Sequence, residues 1–273
     1  MRRFLSLFLV LTSLQAAEPL RVLSYNVRYP NPADGPDLWD TRKALFIESI
    51  REANPDIIGT QELFKLQGDH IVSALPEYTW FGTSRRGNSE DEHMGVFYKK
   101  GKLRLVESGQ FWLSETPDVP GSESWGVTLP RMVTWGLFDQ AGKQFYFLNT
   151  HFAHRREDEE ARKKSAGVIA ERVARLKKGI PVIVTGDFNA PAGGPVYDAL
   201  LGATGLKDTR ALAGKKEGPE GTFHGFRGKA GTNRIDWILV SPGWTVRRNV
   251  AITMQKDGRY PSDHFPVLAE LER

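Results

Sequence analysis

The chain has 273 residues, 40% hydrophobic and 26% charged, with no cysteine and a formal net charge of +4. That is enough apolar chain for one large domain with its own core, and it excludes disulfides and thiolate-held metals as the means of holding it together. The weak positive excess also argues against a protein that grips long stretches of nucleic acid.

The first 17 residues read as an export signal. In "MRRFLSLFLVLTSLQAAEP", Arg2 and Arg3 precede an apolar run from Phe4 to Leu14, and the small residues Ala16 and Ala17 follow. The run is too short to span a bilayer comfortably, and Pro19 follows it. Residues 1–17 are therefore expected to be a Sec-type signal, with 18–273 as one domain in the periplasm or the medium. An exported chain without cysteine suits a bacterial compartment. The signal carries two arginines and no acid, so the remaining chain falls to +2.

Strand-like runs follow in order at 20–27, 56–62, 78–82, 94–100, 103–113, 131–139, 143–152, 180–188, 234–241 and 264–272. Three helices interrupt them. "WDTRKALFIESIREAN" sets Leu45, Phe46, Ile50 and Ala53 on one face. The run after His154 carries a stripe of Ala161, Ser165, Val168, Ile169, Val173 and Leu176, stopped by Gly179. A shorter helix is expected over 196–201. The charged run 155–164 reads as the solvated face of the second helix. About ten strands exceed what one open sheet holds without splitting, so two packed sheets with helices outside are expected.

The polar residues fall at the strand ends. Asn26 closes "SYNVR", Glu62 closes "TQE", and His151 closes "LNTH". Asp187 and Asn189 stand in "GDFN", Asp236 in "RID", and Asp263 and His264 in "SDH". Each alone reads as a turn former. Together they describe one edge of a sheet, where ligands commonly bind. Glu62, with Asn26 and Asp263, is an all-oxygen set suited to Mg²⁺ or Mn²⁺; zinc fits less well without cysteine or a helix-borne histidine pair. A carboxylate beside a histidine fixes its tautomer and favours its cation. Phosphoester hydrolysis needs a cation, an oriented water and charge relief for the leaving group, and this set can supply all three.

In their order, "SYNVR", "IIGTQE", "LNTHF", "GDFN", "RIDW" and "SDHFPV" resemble the endonuclease/exonuclease/phosphatase superfamily over nearly all of the chain after the signal. The stretch "FWLSETPDVPGSESWGVTLPRMVTW" looks like an exported bacterial branch of unassigned substrate. The resemblance implies an α/β fold, a four-layer α/β sandwich of two packed mixed β-sheets flanked by helices. It implies that Asn26 and Glu62 hold the catalytic metal with Asp263 nearby, that Asp187 activates water, and that Asn189 positions the water or the phosphate. It further implies that His264, paired with Asp236, contacts the scissile phosphate, and that His151 is a second site histidine with Glu92 as partner. Arg131 and His224 are candidate substrate contacts, and Trp112, Trp125 and Trp135 offer aromatic area near the same edge. Arg28, Trp39 and Arg42 are weaker candidates for the rim.

The function expected is an exported metal-dependent phosphoesterase attacking a phosphate mono- or diester with an activated water. The alternative is a nuclease, which needs basic stripes or stacking platforms along a strand. A non-catalytic binding module is disfavoured because every catalytic position is filled. A serine hydrolase is excluded by the missing G-x-S-x-G. Neither a stable protein partner nor a membrane anchor is implied, and a monomer is expected.

Overall fold

The structure is a computed structural model that describes residues 18–273; the expected signal, 1–17, lies outside the described residues. The chain runs β1 (Leu20–Asn26), α1 (Trp39–Ala53), β2 (Ile57–Gln61), α2 (Lys65–Ala74), β3 (Tyr78–Phe81), β4 (Val96–Lys99) and β5 (Arg104–Trp112). It continues with β6 (Met132–Gln140), β7 (Lys143–His151), α3 (Glu159–Ala174), β8 (Val182–Asp187), α4 (Pro195–Thr204) and β9 (Lys207–Asp208). The last elements are α5 (Thr209–Leu212), β10 (Lys215–Glu217), β11 (Asp236–Val240), β12 (Thr245–Ala251) and β13 (Val267–Glu272). Among the described residues, no helix is long and apolar enough to cross a membrane.

Seven strands form one sheet in the order β10-β12-β13-β1-β2-β4-β3, and six form a second in the order β5-β6-β7-β8-β11-β9. Both are mixed: β1–β2 and β7–β8 are parallel, whereas β1–β13 and β8–β11 are antiparallel. The expected four-layer sandwich is what forms. Phe46, Ile47 and Ile50 of α1 and Ile71 of α2 pack with Leu23, Tyr25 and Ile58 on the outside of the first sheet. Ala166 and Ile169 of α3 and Val196 and Leu200 of α4 pack with Val182, Val184, Trp237 and Leu239 on the outside of the second. Val22, Ile57, Phe145, Phe147, Ile183, Ile238 and Val240 fill the layer between the sheets. Strands buried on both faces must be apolar along their whole length, which is why "PVIVT" and "DWILV" do not alternate.

The period of two along the inner face of these strands positions the site. Phe147 is followed by Asn149 and then His151, Ile183 by Thr185 and then Asp187, and Val22 by Ser24 and then Asn26. Each strand therefore passes from apolar packing, through a small polar residue, to a functional side chain. The middle step is a hydrogen-bonded seam. Asn149 Nδ2 donates to Thr60 O at 2.7 Å, and its Oδ1 accepts from Gln61 Nε2 at 2.7 Å and Thr185 Oγ1 at 3.1 Å. Gly59 is required opposite it, because a Cβ there would lie 2.1 Å from Thr185 Oγ1.

Two differences from expectation bear on packing. In α1, Ile47 is buried and Leu45 only half-buried, because Trp39 and Arg42 turn the inward face. Helix α2 was not anticipated; only Gln67, Gly68 and Ile71 are buried in it, too sparse a stripe to show a helical period.

Candidate active site

The strand ends converge on a cleft of about 730 Å³, lined among others by Glu62, Glu92, Arg131, His151, Asp187, Asn189, Asp263 and His264. Register alone brings the centre together. Asp187 at the end of β8 pairs with His151 at the end of β7 on one side and with Asp236 at the start of β11 on the other. In the first sheet, Asn26 pairs with Gln61, the residue before Glu62.

Asp187 is 1% exposed. Its Oδ2 accepts from Asn26 Nδ2 at 3.1 Å, and its Oδ1 accepts from the Asn189 backbone N–H at 3.0 Å. Burial, with the Asp236 charge adding, pushes its carboxyl up to about 7. Asn189 adopts φ 48°, a left-handed turn that asparagine tolerates. It follows Phe188, whose ring stacks 4.3 Å from that of Trp237 in the core. The Gly of "GDFN" is also required: a Cβ on Gly186 would meet Thr150 O at 2.7 Å.

His264 Nδ1 lies 2.9 Å from Asp236 Oδ2, and its Nε2 lies 3.7 Å from Asp187 Oδ2. Burial pulls this imidazole down, but the Asp236 and Asp187 carboxylates outweigh it and hold the ring well above its ordinary value. His151 behaves in the opposite way: burial, reinforced by Arg131, keeps it well below the usual range. Its Nε2 lies 2.9 Å from Asn189 Nδ2. Glu92 Oε2 stands 3.9 Å from His151 Nδ1, too far for a hydrogen bond, and is bound instead by Arg85 Nη1 at 2.8 Å. The expected His151–Glu92 couple is therefore not hydrogen-bonded, whereas the His264–Asp236 couple is. Burial, with the Glu62 charge adding, raises Glu92 to about 7.

Glu62, at φ 58°, accepts from Asn26 Nδ2 at 3.1 Å and from the Tyr29 N–H at 3.2 Å. Asn26, expected on the metal side of the site, stands between Glu62 and Asp187. Its nitrogen faces Glu62 and Asp187, and its oxygen accepts from the Arg28 N–H at 2.9 Å, so here it orients two carboxylates. Arg28 approaches Glu62 at 3.9 Å and Asp263 at 3.8 Å, both beyond hydrogen-bond distance. Burial raises Asp263. Asp187, Asp236 and His264 also bring ligand atoms within 4.8 Å of one another, a buried group that could bind a metal.

Arg131 lines the cleft at 5% exposure. His224 does not. Its ring stacks 4.1 Å from Phe265 and lies tilted 4.8 Å from Tyr260, and Nδ1 accepts from the Gly228 N–H at 3.3 Å, while its neighbours Phe223 and Gly225, and Phe226 beyond, line the cleft. The expectation that His224 contacts substrate is corrected on that ground: the loop turns it inward between two lining neighbours, Phe223 and Gly225. Trp112 is likewise buried, its indole N–H donating to Arg85 O. Trp125 and Trp135 are absent from the lining. Arg28 reaches the rim, whereas Arg42 is buried and donates to the carbonyls of Val27, Arg28 and Pro261.

Residues 23–264 match the model of the Endonuclease/Exonuclease/phosphatase family. The chain belongs to that family. A solved structure of a mannosyl-6-phosphatase from Bacteroides thetaiotaomicron is 38% identical, with TM-score 0.87, over 93% of this chain and 100% of that one. A family structure from Bacteroides vulgatus is 33% identical, with TM-score 0.88, over 94% of this chain and 99% of that one. Rat nocturnin is 23% identical over 287 residues, 91% of this chain. The match spans 63% of nocturnin's own length. The family takes its description from endonucleases, exonucleases and phosphatases, enzymes that cut phosphoester bonds.

Within this family site, several cleft residues were not singled out from the sequence, Arg85, Asp34 and Phe223 among them. Arg85 sits in "RRGN", which reads as a solvated basic turn, yet it is buried and paired with Asp91 and Glu92. Asp34, which binds Arg28, and Phe223, half-exposed beside His264, lie in loops with no periodicity to mark them. One signal is visible only in the backbone. Of the eight non-glycine residues with positive φ among those described, four (Arg28, Glu62, Asn189 and Phe226) line the cleft. Strained backbone held at a cleft points to function.

Proposed function

We propose that the protein is an exported, divalent-metal-dependent phosphoesterase that acts as a monomer on small phosphate monoesters, sugar phosphates foremost. The observation that carries this reading is the meeting of Asp187, Asn189, the His264–Asp236 couple and Glu62 at one edge of the sandwich. The mannosyl-6-phosphatase, similar over its full length, supports the substrate class. The basic side chains at the cleft support it too: Arg28 is bound by Asp34, and Arg85 by Asp91 and Glu92. With those two paired, Arg131 is the arginine of the lining that keeps two buried donors unpartnered, enough for one phosphoryl group and too few for a stripe along a nucleic acid backbone.

The donor set fits a hard cation. Glu62 and Asp263 both line the cleft with carboxylate oxygens, burial raises Asp263, and Arg28 stands 3.9 and 3.8 Å from the two without a hydrogen bond to either. Glu62 and Asp263 would hold the ion, while Asp236 is already engaged by His264. When bound, Mg²⁺ or Mn²⁺ supplies charge to the phosphoryl oxygens and the leaving group. Asp187 accepts the proton of the attacking water, a task suited to a base near neutrality. Both N–H groups of Asn189 are spent, on His151 Nε2 and on Phe152 O at 3.1 Å, so it offers its oxygen to the cleft and orients the water. His151 positions Asn189. His264, held cationic by Asp236, donates from Nε2 to the phosphoryl group.

The test is hydrolysis by purified 18–273 with Mg²⁺, read as inorganic phosphate from hexose and inositol phosphates, as shortened strands from DNA and RNA, and as phosphocholine from sphingomyelin. Hexose phosphates are expected to exceed nucleic acid in kcat/KM by at least about 100-fold, since a group the site is built to bind commonly discriminates that strongly. Cleavage of nucleic acid alone refutes the monoester reading.

A further inference from the structure

Arg131 is held in an unusual way. It is almost wholly buried, yet its side chain makes one hydrogen bond among the described residues, from Nη2 to His154 Nδ1 at 3.0 Å. Its Nε and Nη1 are buried without a partner, and its side chain lines the cleft. Buried guanidinium donors are ordinarily satisfied, so two left over beside a cleft mark the place of an acceptor-rich ligand.

A guanidinium has no acceptor, so His154 Nδ1 must accept and the ring must be neutral, with its proton on Nε2. The imidazole is exposed on the cleft wall and is not needed for the core. Its loop is nevertheless pinned. Arg162 Nη1 of α3 donates to Ala153 O at 2.8 Å and Arg155 O at 2.7 Å, and Phe152 N donates to Asp187 O at 2.9 Å. The loop that sets His154 is thus tied both to the helix outside the second sheet and to the strand that carries the proposed base.

We propose that His154 is a positioning residue: by accepting from Nη2 it fixes the Arg131 guanidinium so that Nε and Nη1 meet the phosphoryl oxygens of the substrate. This rests on the reading of the cleft as a phosphoesterase site. An arginine contact to non-bridging oxygens is made in both ground state and transition state, so its loss raises KM more than it lowers kcat.

The experiment uses 18–273 with Mg²⁺, p-nitrophenyl phosphate as substrate and inorganic phosphate as competitive inhibitor. His154→Ala is expected to raise KM and the phosphate inhibition constant about tenfold each, with kcat changed less than about threefold. His154→Asn places an amide oxygen where Nδ1 stands and is expected to restore both constants to within about threefold. In an Arg131→Gln background, His154→Ala is expected to add nothing, because the two side chains act as one unit. The proposal is overturned if His154→Ala binds phosphate like the wild type, if the asparagine variant is as weak as the alanine, or if the two losses add. A wild-type protein that neither hydrolyses esters nor binds phosphate overturns the phosphoesterase reading and this proposal with it; an active wild type indifferent to His154 overturns this proposal alone.

Discussion

Replacing Asp187 by Asn is expected to stabilise the metal-free protein at alkaline pH while abolishing most of its activity. The carboxyl rises from 3.8 to about 7 because burial and Asp236 penalise its ionised form. At 1.36 kcal/mol per pH unit, that places a penalty of about 4 kcal/mol on the ionised folded state. The amide is free of this penalty but loses one charge-assisted hydrogen bond, from Asn26 or Asn189, costing about 2 kcal/mol. The net gain is about 2 kcal/mol, or about 4–8 °C in Tm for a domain of this size. The sign follows from proton binding. A folded carboxyl with a raised pKa holds its proton longer than the unfolded one, so its contribution is complete below 3.8 and is lost as pH rises through about 7. Asp187→Asn should therefore melt higher than wild type at pH 8.5 and slightly lower at pH 4, in EDTA throughout, with turnover down about 10²–10⁴-fold under Mg²⁺. Calorimetry at the two pH values checks the crossing. Equal Tm differences at both, or a loss at pH 8.5, refute the idea that the site strains this carboxylate.

His264→Ala should lower kcat about 10²–10⁴-fold, measured as phosphate release, with Asp236→Asn moving it the same way; full activity in both refutes their roles. EDTA should abolish activity and Mg²⁺ or Mn²⁺ restore it, and a chelator-insensitive enzyme contradicts the proposed ion. Gly59→Ala should destabilise the fold by about 2–3 kcal/mol in urea titrations, because its Cβ would enter the seam 2.1 Å from Thr185 Oγ1; an unchanged midpoint means that the seam gives way freely.

The sandwich was legible because strands buried on both faces write themselves as apolar runs, and "PVIVTGD" and "RIDWILV" did so. The centre of the site was legible for a related reason: a polar residue costs too much at the end of such a run to be incidental, so Asp187, Asp236 and His151 stood out. What stayed hidden depends on where a loop turns. His224 faces Phe265 while Phe223 and Phe226 beside it face the cleft, and nothing local in "GTFHGF" distinguishes them. Arg85 looked like surface because its partners, Asp91 and Glu92, lie across a turn. The pairing of Glu92 with Arg85 in preference to His151, and the direction of the Asn26 amide, are settled by distances of an ångström or less, finer than residue type can encode.

The most direct measurement is a crystal structure of 18–273 grown with magnesium and phosphate. The account predicts an ion bonded to Glu62 and Asp263, and a phosphate within hydrogen-bond reach of His264 Nε2 and Arg131. An ion and an anion bound elsewhere, with the cleft left to solvent, would contradict it.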